Sequence, residues 1–130
     1  MSQGVSALNC AAVAAGSAAG ALLRWAAALA VNTAWSGFPL GSLLVNCVGG
    51  LLVGIAMVWF QRMPDELLRL LLVTGFLGGF TTFSAFSAES LTLLQRGHWA
   101  LALMHSAAHL VGALACTAGG YAMARALLRG

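Results

Sequence analysis

The residues of this chain that could do chemistry are few and concentrated. Within 75–89 the order Gly-Phe-Leu-Gly-Gly-Phe-Thr-Thr-Phe-Ser-Ala-Phe-Ser-Ala-Glu sets three glycines, two adjacent threonines, two serines and one acid in an otherwise apolar run. Thr81, Thr82, Ser84 and Ser87 carry hydroxyls that can donate hydrogen bonds. Phe83 and Phe86 are three apart and share a helix face. Lipid contact or core packing is the plain role of such a stripe, but an aromatic ring has an electropositive edge. Ring edges interleaved with hydroxyls therefore also suit a pore wall that holds an anion without a full countercharge.

Other groups lie outside this run. Arg24 and Asn46 fall at similar distances from the loop that joins their segments. A guanidinium there can snorkel to the headgroups; beside a carboxamide donor at the same depth it also reads as an anion vestibule leading to a hydrogen-bonding site. Glu89 is the one acid besides the adjacent Asp65 and Glu66. It can pair with Arg96 near a helix end or take part in gating. His105 and His109 form an i, i+4 pair, a spacing that fits two metal ligands. No acid or cysteine in the same segment completes a metal site, so a polar stripe of N–H donors is the favoured reading. His98 beside Trp99 is interfacial.

These side chains need elements that can place them, and the composition says which. The 130 residues are 61% hydrophobic and 7% charged, with a mean hydropathy of +0.92, whereas a soluble domain carries about 25% charged residues. The chain belongs in a lipid bilayer. A spanning helix needs roughly 20 apolar residues, and four such stretches follow one another at 7–31, 41–60, 67–94 and 99–123. The short connections leave no room for a soluble domain, so 1–130 is a single all-α transmembrane unit. The third stretch would form a helix of about 42 Å against a hydrocarbon core of about 30 Å. Its glycine- and threonine-rich centre predicts a break near the midplane. Helix-weakening sequence at that depth has to line a cavity or lie within protein, which makes the 75–89 run the candidate functional centre.

Small residues four apart at Gly16 and Gly20, Gly50 and Gly54, and Gly75 and Gly79 predict close helix packing. With the N-terminus cytoplasmic, Arg62, Arg69, Arg125 and Arg129 lie inside against Arg24 and Arg96 outside, a mild positive-inside bias. Both orientations are compatible with it. Cys10, Cys47 and Cys116 fall in apolar runs without zinc or disulfide spacing and read as small buried hydrophobes. The six arginines are too dispersed for nucleic acid. No nucleophile with a base, phosphate loop or nucleotide fingerprint is present, so an enzyme is not expected. A small dual-topology multidrug or cation exporter would need an acid in its membrane core, which the first two spans lack. A non-transporting scaffold would not need the polar residues of the third span, and a metal carrier would rest on His105 and His109.

Three segments in order carry a resemblance to the fluoride channel family known as Fluc or CrcB. They are Gly20-Ala21-Leu22-Leu23-Arg24-Trp25; Pro39-Leu40-Gly41-Ser42-Leu43-Leu44-Val45-Asn46 with Gly49-Gly50; and the 75–89 run. The fourth span matches in length and hydropathy alone. The resemblance implies an antiparallel, dual-topology homodimer of four-helix subunits in the bacterial inner membrane, with two fluoride pores that protect the cell from fluoride. Arg24 would line the vestibule and Asn46 would contact the ion. Phe83 and Phe86 would present ring edges to it, and Thr82 and Ser84 would supply hydroxyls. The backbone carbonyls of Gly78 and Thr81 would hold a structural sodium ion at the dimer centre. Where the family often carries a tyrosine and serines on the fourth helix, this chain has His105 and His109 with Ala113 a turn later, and histidine charge depends on pH.

Overall fold

The computed structural model describes residues 4–34 and 38–129. Helix α1 covers Ala7–Ala34 and α2 covers Leu40–Arg62. The third hydrophobic stretch is built in pieces: α3 (Glu66–Arg69), a π-helical stretch (Leu70–Leu77), α4 (Gly78–Phe80) and α5 (Phe83–Gln95). Helix α6 runs over Trp99–Leu127. The stretches Ala7–Thr33, Leu40–Arg62, Glu66–Gln95 and Trp99–Leu127 are each long and apolar enough to cross a membrane. The first helix continues through Asn32 and Thr33, which the sequence reading places in a loop, and the Asn32 Oδ1 accepts from the Gly41 amide at 3.2 Å, tying the end of α1 to the start of α2. Residues 35–37 of that loop lie outside the described residues.

Glycines set which helices touch. Helix α2 packs chiefly on α6, and α1 chiefly on the π-helical stretch and α4. A Cβ added at Gly54 would run into the Thr117 carbonyl, and one at Gly120 into the Leu51 carbonyl. On the other contact, Gly16 faces the Leu71 carbonyl, Gly20 the Phe76 carbonyl and Gly79 the Ser17 carbonyl, each too close for a side chain. Lipid provides no hydrophobic drive between helices, so this backbone-to-backbone approach is what holds them together. Gly54→Leu is expected to destabilise by about 1–3 kcal/mol through overpacking. Gly119→Ala, whose Cβ would meet nothing within 4 Å, is expected to be neutral or mildly stabilising. Thermal midpoints of the two purified variants in detergent check the contrast.

Two terminations matter for the site. Between α5 and α6, Gly97 takes φ 77°, and the Gly97 and His98 amides close on the Leu94 and Leu93 carbonyls at 3.0 and 2.9 Å. That left-handed cap turns the chain sharply, so α6 returns beside α5 with its histidines level with Phe86 and Glu89. At the other end of α5, helical backbone stops altogether. Thr81 has φ −88°, ψ 158° and Thr82 has φ −149°, ψ 118°, both extended. The sequence reading spread the interruption over 75–82; the extended residues are Thr81 and Thr82 alone. The glycines before them stay helical, and the excess length of the segment is partly taken up in wide π-helical turns.

Candidate functional site

Thr82 remains extended because its backbone amide and carbonyl find partners off the helix axis. The Asn46 Oδ1 accepts from the Thr82 amide at 2.8 Å, and Asn46 Nδ2 donates to the Thr82 carbonyl at 2.9 Å. The carboxamide thus replaces a strand's worth of pairing for one residue. Thr82 also caps α5, its Oγ1 accepting from the Ala85 amide at 3.1 Å and lying 3.4 Å from the Ser84 hydroxyl. Thr81 closes α4, its amide and hydroxyl both donating to the Leu77 carbonyl at 3.0 and 2.9 Å.

These bonds release particular carbonyls. The amide four residues beyond Gly78 is that of Thr82, which goes to Asn46. The amide four beyond Thr81 is that of Ala85, which goes to the Thr82 hydroxyl. The Gly78 and Thr81 carbonyls therefore lose their helical partners, and at a half-helix C-terminus such oxygens carry partial negative charge. They have the chemistry of an alkali-cation site. The Gly79 carbonyl is treated differently: Arg24 Nε donates to it at 3.1 Å. Arg24 is therefore half-buried and anchored to the interruption rather than free to snorkel.

Beside the interruption opens a cleft of about 780 Å³. Asn46, Thr82, Phe83, Phe86, Ser106 and His109 line its polar and aromatic wall, and Gly78 and Thr81 reach it too. The rings of Phe83 and Phe86 meet edge-to-face with centroids 5.3 Å apart. Phe86 lies 4.7 Å from the His109 ring and 5.6 Å from the His105 ring. Phe83 is 78% exposed in the single chain, an apolar residue at the mouth with nothing of its own chain to cover it.

Glu89 and His105 form a second polar cluster one turn away. The Ser42 hydroxyl donates to Glu89 Oε2 at 2.6 Å, and His105 Nε2 lies 3.0 Å from the same oxygen. His105 Nδ1 is 2.8 Å from the Ser90 hydroxyl, which is 3.2 Å from that of Ser106. His105 is fully buried. The expected pairing of Glu89 with Arg96 does not occur: Arg96 caps the end of α5, and the carboxylate turns inward because two buried donors await it. Sequence reading missed Ser42, Ser90 and Ser106 as partners. The spacing of Ser42 and Asn46, four apart on one face of α2, was the available signal.

The ligand atoms of Glu89, His105 and His109 lie within 4.8 Å of one another, the arrangement a metal carrier would use. The hydrogen bonds oppose it. Asn46 Nδ2, whose identity is fixed by its bonds to Thr82, lies 3.0 Å from His109 Nδ1 and can only donate to it. A metal on Nε2 would move the ring proton to Nδ1 and set two donors against each other.

The family model described as "CrcB-like protein, Camphor Resistance (CrcB)" matches residues 11–121 of this chain. The chain is 50% identical over 113 residues to the fluoride-specific ion channel FluC of Aromatoleum aromaticum, covering 85% of this chain and 86% of the relative. It is 50% identical over 129 residues to the protein of the same name from Bordetella petrii, covering 98% and 99%. The corresponding Chromobacterium violaceum protein is 47% identical over 113 residues, covering 85% and 90%.

Proposed function

The chain belongs to the CrcB-like family, and from that membership we propose that it is a multi-pass membrane channel specific for fluoride, passing it passively out of the cell. The observation that carries this reading is the wall of the cleft. Fluoride is small and strongly hydrated, so a dry path has to replace water with donors. The hydroxyl of Thr82, the imidazole of His109 and the ring edges of Phe83 and Phe86 supply them around one interrupted helix, with the Ser84 hydroxyl 3.4 Å from that of Thr82 beside the cleft. None is a full cation, so the ion is held without a deep trap, as conduction requires. The nearest guanidinium, Arg24, is held on the Gly79 carbonyl and would act by attracting the anion to the entrance. An inside-negative potential favours anion exit by about 2.3 kcal/mol per 100 mV, so export needs no coupled ion.

The functional unit is an antiparallel, dual-topology homodimer, in which the third span of each subunit breaks near the midplane and meets its counterpart. The exposure of Phe83 and of Gly78 at the open side of the cleft supports this assembly. Sodium is the resident ion. The Gly78 and Thr81 carbonyls are the oxygens that would hold it, and when bound it neutralises the C-terminal ends of two half-helices. His105 contributes through Glu89 and Ser42, shaping the wall behind Phe86.

In liposomes loaded with potassium fluoride and given a potassium shunt, the protein is expected to release fluoride to an external electrode without any proton gradient. Chloride release under the same conditions is expected to stay at the level of empty vesicles. Equal chloride flux, or no flux from folded protein, overturns the reading.

A further inference from the structure

Asn46 has no hydrogen left for a passing ion. Its Oδ1 accepts from the Thr82 amide, which fixes which end of the carboxamide is nitrogen. That nitrogen carries two hydrogens. One goes to the Thr82 carbonyl at 2.9 Å and the other to His109 Nδ1 at 3.0 Å. A ring nitrogen that accepts a hydrogen bond carries no proton, so neutral His109 has its proton on Nε2. Among the described residues, Nε2 of His109 is the buried side-chain polar atom that no hydrogen-bond partner reaches. The residue is 4% exposed and lines the cleft with Phe86.

An unmatched buried donor is costly, and no acceptor among the described residues lies within hydrogen-bond distance of this one. The Glu89 carboxylate, a few ångströms away, takes its hydrogen bonds from Ser42 and His105. From the fluoride-channel reading, on which this step rests, we infer that the Nε2–H of His109, and not the Asn46 carboxamide, is the group that hydrogen-bonds the anion directly. Asn46 is a positioning residue: it holds His109 in the donor tautomer while clamping the extended Thr82. The division of labour departs from the expectation that Asn46 itself contacts the ion, and it gives the histidine of the fourth span a defined part.

Two substitutions separate the two nitrogens of the ring. His109→Gln keeps an N–H donor near the place of Nε2 but offers Asn46 no acceptor near Nδ1. His109→Asn keeps an acceptor near Nδ1 and loses the distal donor. Fluoride efflux from liposomes is expected to survive largely in His109→Gln and to fall about tenfold or more in His109→Asn, the loss of one charge-assisted hydrogen bond. The reverse ranking, or no loss in either, overturns the inference. Should both variants lose activity, ¹⁵N spectra of histidine-labelled wild-type protein in bilayers decide, with the His109 signal identified by its disappearance in His109→Gln. A proton on Nε2 whose resonance moves on adding fluoride supports the role, and a proton on Nδ1 overturns it. Asn46→Asp is expected to move the proton to Nδ1, because a carboxylate oxygen would then face that atom; an unchanged tautomer overturns the positioning role. A folded wild type that holds the Nε2–H tautomer but passes no fluoride would overturn the channel reading itself.

Discussion

Asn46→Asp is expected to reduce fluoride efflux by about a hundredfold or more while leaving a protein that still inserts and purifies. The substitution is nearly isosteric, so its effect comes from polarity alone. One carboxylate oxygen can continue to accept from the Thr82 amide, as Oδ1 does now at 2.8 Å. The other would stand where Nδ2 now donates to the Thr82 carbonyl at 2.9 Å and to His109 Nδ1 at 3.0 Å. An ionised carboxylate would oppose the Thr82 carbonyl and draw the His109 proton to Nδ1, taking the Nε2–H away from the ion, and a protonated one would have a single hydrogen for both sites. Each lost hydrogen bond at a buried site costs about 1–3 kcal/mol, and about 1.4 kcal/mol is a factor of ten, so two losses give the stated size before any repulsion of the anion by the new charge. Fluoride-electrode efflux from liposomes, normalised to protein that elutes as a single folded species, measures it. Unchanged efflux would remove Asn46 from both the clamp and the path.

This clamp also marks where sequence reasoning ran out. Composition and run length were enough to see four apolar stretches, because helix in a bilayer is dictated by the need to satisfy the backbone internally. They were not enough to place the extended residues. Glycine content pointed to 75–82, yet Gly75, Gly78 and Gly79 are helical, Gly75 and Gly79 serving the close approach to α1, while Thr81 and Thr82 are extended. What holds Thr82 extended is a carboxamide 36 residues earlier in the chain, and no local propensity records that. The same holds for Glu89. Its nearest arginine in sequence, Arg96, looked like its partner, but the tight turn at Gly97 brings His105 to it instead. The i, i+4 spacing of His105 and His109 was legible, and their unequal roles were not. His105 uses its Nε2–H on a carboxylate, whereas His109 accepts from a carboxamide on Nδ1 and keeps its Nε2–H free.

Glu89 provides the second large effect, through a contrast between two replacements. Both of its donors, the Ser42 hydroxyl and His105 Nε2, converge on a single oxygen, Oε2, at 2.6 and 3.0 Å. A glutamine has one carbonyl oxygen, and one is all this geometry uses, so Glu89→Gln is expected to fold with nearly normal stability. Glu89→Leu removes the acceptor and leaves a buried hydroxyl and a fully buried imidazole without it. At about 1–3 kcal/mol for each orphaned donor, the loss amounts to a large share of a marginal stability. The leucine variant is therefore expected to show a markedly lower thermal midpoint in detergent and little efflux. The glutamine variant carries a further expectation. With the negative charge gone from behind the Phe86 and His109 wall, a passing anion meets less repulsion, so fluoride efflux should equal or exceed that of the wild type. Efflux abolished in a Glu89→Gln protein of normal stability would mean that the carboxylate charge itself is needed, as in gating, and that its part is more than to anchor Ser42 and His105.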